Sequence, residues 1–230
     1  ASCEAYMYLE NANWGGSVFT GCYNMVTHVF NPALSKAICE GYSWSPENAD
    51  AESFDVVFSR FGVMFFEDPV AAFTNIRGAM SSQARLAFCC WQPRARNPFM
   101  TVPAMAALEL LPAPTEVPPR SPGPFAFEEP DYINAILSSS GLTDIAIEPI
   151  SHPLVFGPGL SVEKIVERLV TIGPIAQMVR EAPDSLQQPV REKVIAAVSP
   201  FYDSVTGLTL DGKFWQVTAT HRRTRRTGNT

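Results

Sequence analysis

The sequence predicts an α/β fold, and three observations predict it. Between residues 54 and 91, an apolar run, an amphipathic segment and a second apolar run follow one another as in a strand–helix–strand unit. Two later runs, around 143–150 and 214–219, have the β-rich content of further strands. At 230 residues, the chain is long enough to bury one good core.

Taken in order, Phe54-Asp55-Val56-Val57-Phe58-Ser59 reads as a buried parallel strand. Residues 60–66 form a loop in which Gly62 supplies permissive backbone. Asp68 is a helix N-cap, and Pro69 fits the first helical position. A helix over 69–80 then sets Val70, Phe73, Ile76 and Met80 on one face. Arg85-Leu86-Ala87-Phe88-Cys89-Cys90-Trp91 is the next strand, so parallel pairing through a right-handed crossover is expected. A helix over 97–111 follows, then a proline-rich stretch over 112–124; an insertion this long is usually functional or mobile. A helix over 130–139 ends at Gly141 and leads into a strand over 143–150. Residues 161–181 and 185–203 read as two helices, and 207–220 contains the last strand.

Composition narrows the function classes. No stretch approaches the roughly 18 uncharged apolar residues that span a bilayer. The start of the chain lacks a basic n-region followed by an apolar h-region, which predicts no secretory signal. A net charge of −6 gives no global attraction to polyanions, so neither nucleic acid nor membrane is expected as a partner. Cys3, Cys22, Cys39, Cys89 and Cys90 include no C-x-x-C pair and no neighbouring histidine. That set argues against a zinc site or a disulfide framework, and Cys89 and Cys90, inside an apolar run, read as buried thiols in a reducing cytoplasm. Arg222, Arg223, Arg225 and Arg226 make a basic tail over 221–230, read as a solvated terminus.

The series from Ser53 to Phe66, then Asp68-Pro69, Asn75-Ile76-Arg77, Arg85-Leu86-Ala87-Phe88, Trp91-Gln92-Pro93 and Asn97-Pro98, resembles class I S-adenosylmethionine-dependent methyltransferases. Within that class it looks like the UbiE-like small-molecule branch. Gly141-Leu142 and Phe214-Trp215-Gln216-Val217-Thr218-Ala219 resemble the closing antiparallel pair of the same fold. The resemblance implies a Rossmann-like, mostly parallel seven-stranded sheet with one antiparallel edge strand. It implies one domain over 1–230, with helical cap insertions at 97–130 and 158–205. The implied cofactor is S-adenosylmethionine and the implied partner a small-molecule methyl acceptor.

Open α/β sheets bind ligands outside the carboxyl ends of their strands. By resemblance, Ser59, Arg60, Phe61 and Gly62 line the methionine side of the cofactor. Phe61, Phe65 and Phe66 equally suit a core, and Arg60 an ion pair. Over residues 1–52 the sequence departs from the family. No G-x-G-x-G turn is present, and Phe30 stands where the ribose-binding carboxylate belongs. Glu40-Gly41 resembles the start of the adenine-side motif, with Tyr42 in place of the usual Asp. Three strand–helix units need roughly 75 residues ahead of the strand at 54, and only 52 residues precede Ser53.

Methyl transfer depends chiefly on proximity and orientation, so a protein nucleophile is not required. Should an acceptor need deprotonation, His152, just after the strand over 143–150, is the candidate base. Phe65, Trp91, Phe99 and Met100 are the candidate acceptor contacts. Helices over 97–111 and within 161–203 would roof the acceptor, with Met105, Ile165, Leu169, Ile172 and Met178 on apolar faces that also suit plain core. An apolar or aromatic acceptor is expected, and an exposed sheet edge would favour a homodimer. The alternative is a non-catalytic methyltransferase-like binding module or a truncated inactive homologue.

Overall fold

The computed structural model describes residues 54–113, 118–171 and 173–222. The expectations for Phe30, Glu40, Gly41, Tyr42, Ile172 and the arginines beyond Arg222 lie outside the described residues.

The described residues form two compact units. The first draws on the described residues within 54–91, 119–149 and 214–222, and the second on those within 92–118 and 150–213. The sheet holds β1 (Phe54–Arg60), β2 (Met80–Trp91), β3 (Thr143–Phe156), β4 (Tyr202–Asp203) and β5 (Gly207–Thr220). Its order is β1-β2-β5-β3, with β4 beside β5.

In the first unit, α1 (Pro69–Ala79) crosses between β1 and β2, which pair in parallel. Asp68 caps α1 by accepting from the Ala71 amide at 2.9 Å, as the Asp-Pro pair predicts. Phe73, Ile76 and Met80 are buried, whereas Val70 stays outside. They join Phe88 of β2 and Phe127 in one aromatic-rich core, completed by Ile133, Ile136 and Leu137 of α3 (Pro130–Ser139). Helix α3 ends where Gly141 takes a φ of +78° and the Leu142 amide donates to the Leu137 carbonyl at 3.0 Å.

Three differences from the sequence reading have physical causes. Strand β2 begins at Met80 rather than Arg85, because three extra residues bulge out between Phe54↔Met80 and Val56↔Arg85. Gln83 of the Ser82-Gln83-Ala84 turn sits there at a φ of +72°, and its amide donates to the His221 carbonyl at 2.8 Å. Second, the antiparallel strand expected at the edge lies one place in, because β5 runs between β2 and β3. Third, β3 continues past Ile150 to Phe156 despite Pro149 and Pro153. Proline donates no ladder hydrogen bond, and an edge strand tolerates it.

In the second unit, α2 (Pro98–Leu108), α4 (Val162–Leu169), α5 (Gly173–Glu181) and α6 (Asp184–Val198) enclose a core with Leu208 and Leu210 of β5. The segment over 161–181 is therefore two helices, not one. Pro174 has no amide to donate one turn back, so a continuous helix is interrupted before it and a new one starts with the proline in its first turn. Among the described residues, no helix is long and apolar enough to cross a membrane.

Candidate functional site

The sequence-predicted residues at the carboxyl end of β1 are brought together with those at the end of β2. Ser59 pairs in register with Phe88, and Arg60 with Cys89. Ser59 is 1% exposed, and its hydroxyl has no hydrogen-bond partner among the described residues. A buried hydroxyl left in that state forfeits about 1–3 kcal/mol. Arg60, one residue on, is exposed.

Phe61 carries the bend out of the strand. Its φ is +55°, while Gly62 takes a φ of −103°. The left-handed backbone expected of the glycine therefore falls on the aromatic residue before it. Such a conformation costs a residue with a Cβ about 1–2 kcal/mol. The Phe61 amide continues the parallel ladder by donating to the Cys89 carbonyl at 3.0 Å. Its ring stacks on Trp91, with centroids 4.1 Å apart and planes 12° apart. Phe214 meets both rings edge-on, at 5.6 Å from Phe61 and 6.4 Å from Trp91. Each aromatic contact is worth about 0.5–1.5 kcal/mol, so the two that Phe61 makes offset its backbone strain without exceeding it by much.

Phe214 is a site residue that the sequence reading missed. The signal is register: β5 runs antiparallel to β2 and sets Phe214 directly opposite Trp91. The turn behind the site is held from two directions. The Met64 carbonyl accepts from the Gly123 amide at 3.0 Å, and the Met64 sulfur receives the Trp91 amide at 3.5 Å. Phe65 closes the turn, its amide donating to the Gly62 carbonyl at 3.3 Å, with its ring half-buried against the core.

Cys90 is fully buried and its thiol donates to the Phe127 carbonyl at 3.6 Å. Burial pushes its pKa far up, and the neighbouring Cys89 adds to the effect. Cys89 is also raised by burial, with Arg60 opposing. Neither thiol is poised as a nucleophile.

Phe99, Met100 and His152 belong to the second unit. Phe99 stacks on Phe156 with centroids 6.4 Å apart. Met100 is half-buried; Ile165, Leu169 and Met178 are core, and Met105 is 64% exposed. His152 lies within β3 rather than after the strand, exposed, with Nδ1 2.7 Å from the Pro153 carbonyl. Asn97, part of the Asn-Pro pair, is a clamp: its side chain donates to the Gln92 carbonyl at 3.0 Å and accepts from the Lys213 amide at 2.7 Å.

No protein-family profile matches the chain, and no curated protein matches it. Among solved structures, it is similar to a protein of Bacillus halodurans C-125 provisionally assigned as a methyltransferase. That match has 12% identity, covers 75% of this chain and 72% of the other, and has a TM-score of 0.40. It is also similar to the YcgJ protein of Bacillus subtilis, at 14% identity over 84% and 77% of the two chains, with a TM-score of 0.42. A SAM-dependent methyltransferase from Archaeoglobus fulgidus matches at 15% identity over 81% and 71%, with a TM-score of 0.33. At these TM-scores the likeness carries no argument; the α/β class rests on the β1–α1–β2 unit and the sheet of this chain itself.

Proposed function

We propose that the chain is an S-adenosylmethionine-dependent methyltransferase of the UbiE-like branch, acting on an apolar or aromatic small molecule. The observation that carries this reading is the buried Ser59 hydroxyl, without a partner among the described residues, at the carboxyl end of β1. That is where an open α/β sheet receives its ligand. A hydroxyl that can donate one bond and accept two fits the polar amino-acid end of S-adenosylmethionine. Ser59 and the exposed Arg60 would hold that end, with Glu40 and Gly41 as further candidates from the sequence resemblance. When bound, the cofactor supplies an electrophilic sulfonium methyl. The half-buried ring of Trp91 would orient an aromatic acceptor by stacking on it.

A second reading is a binding module without catalysis. It is favoured by Phe30 and Tyr42, which stand where the family's carboxylates belong: Phe30 has no acceptor at all, and Tyr42 offers one phenolic oxygen in place of a charged carboxylate. Calorimetric titration of the full chain with S-adenosylmethionine separates the two. The transferase reading expects stoichiometric binding, weakened about tenfold by Ser59→Ala through the loss of one hydrogen bond. Absence of heat from a protein that still melts cooperatively would overturn it in favour of the module.

A further inference from the structure

We infer that Phe61 is a gate, whose ring holds in the free protein the place that a planar aromatic ring of the bound ligand takes on the face of Trp91. This deepens the transferase reading by naming the acceptor as planar and aromatic. Three observations in one unit carry it.

Phe61 holds a left-handed backbone, at a φ of +55°, that a bulky residue rarely adopts and that clusters at ligand clamps and switches. Gly62 beside it, which would take that conformation without strain, does not take it. Its amide is tied to the Cys89 carbonyl at 3.0 Å, and its ring is set nearly parallel to Trp91 at 12° and walled by the edge of Phe214 at 82°. Such a slot is shaped for a flat ring and is filled by a residue of the protein's own. The site is at the strand ends, its aromatic members are half-exposed, and Ser59 two residues earlier holds a buried hydroxyl with no partner among the described residues.

The remaining strained positions lack this combination. Gln83 is tied to His221 at a sheet corner, Arg120 pairs with Glu129 and lies over Tyr132, and Asp144 pairs with Arg222. A ligand ring that replaces Phe61 on Trp91 keeps the stacking contact and lets the backbone leave its strained state. Exchange of one stacked ring for another therefore lies near balance, as a gate requires.

The test uses the full chain with 2-naphthol as a flat probe and cyclohexanol as a non-planar control. Position 61 carries 4-fluorophenylalanine, read by fluorine NMR. Titration with 2-naphthol is expected to move that resonance away from its Trp91-shielded position, while cyclohexanol leaves it in place. In calorimetry, Phe61→Gly is expected to bind 2-naphthol about tenfold more tightly, since the competing ring is gone. Trp91→Leu is expected to bind it about tenfold more weakly, since the platform is gone. Binding of 2-naphthol that leaves the fluorine signal unmoved overturns the gate, and so does failure of the folded wild-type chain to bind it. A chain that ignores S-adenosylmethionine yet shows the fluorine shift loses the transferase reading and keeps the gate. The opposite pair of results keeps the transferase and removes the gate.

Discussion

Ser59 is the residue at which stability and ligand binding pull apart. Its hydroxyl is buried and has no hydrogen-bond partner among the described residues. Ser59→Ala should therefore raise folding stability by about 1 kcal/mol while weakening ligand binding, measured by urea denaturation and calorimetry on one preparation. Were the serine only a packing residue, stability would not rise and binding would not fall. Cys90 gives a second test at this scale. Its folded pKa is raised above the ordinary thiol value by burial. The unfolded chain therefore loses this proton first as pH rises, and stability falls from there upward; below the ordinary thiol range the contribution is constant. The urea midpoint should show a steeper loss above about pH 9 in the wild type than in Cys90→Ala, with parallel curves at neutral pH.

At the scale of elements, α1 shows how far local chemistry reaches. Asp68 and Pro69 fix its start in the sequence and in the structure alike. Asp68→Ala should lower stability by about 1 kcal/mol, seen as a lower melting temperature, since the Ala71 amide loses its acceptor. The ends of elements are legible where a side chain or a ring constraint closes them, as at Asp68, Pro130 and Gly141. They are not legible where a tertiary partner closes them. The start of β2 depends on His221, whose amide donates to the Ala84 carbonyl at 2.9 Å. The break between α4 and α5 is written in Pro174, which lacks the amide a continuous helix would need, although an unbroken apolar periodicity hides it.

For the molecule as a whole, two cores matter more than one sheet. The first gathers Phe73, Phe88 and Phe127, and the second is aliphatic, built around Val190, Val194 and Leu208. Gly207 serves the second. At a φ of +86°, a Cβ there would lie 2.5 Å from the Phe156 carbonyl oxygen, which is backbone and cannot move aside cheaply. Gly207→Ala should destabilise by at least about 1–2 kcal/mol. Hydrogen exchange should register that loss in α4 and α6 before it reaches α1 and β1. Equal loss of protection in both units would show that the two cores unfold as one.

By itself the sequence determined the α/β class, the β1–α1–β2 unit and the strand-end location of Ser59 to Gly62, because hydrophobic period, capping and proline constraints act within a few residues. Tertiary structure decided which residue of that turn takes the left-handed backbone, that Phe214 faces Trp91, and that Asn97 ties Gln92 to Lys213. Those outcomes depend on pairing between β2 and β5, more than a hundred residues apart in the chain, and no local pattern encodes the register of such a pair.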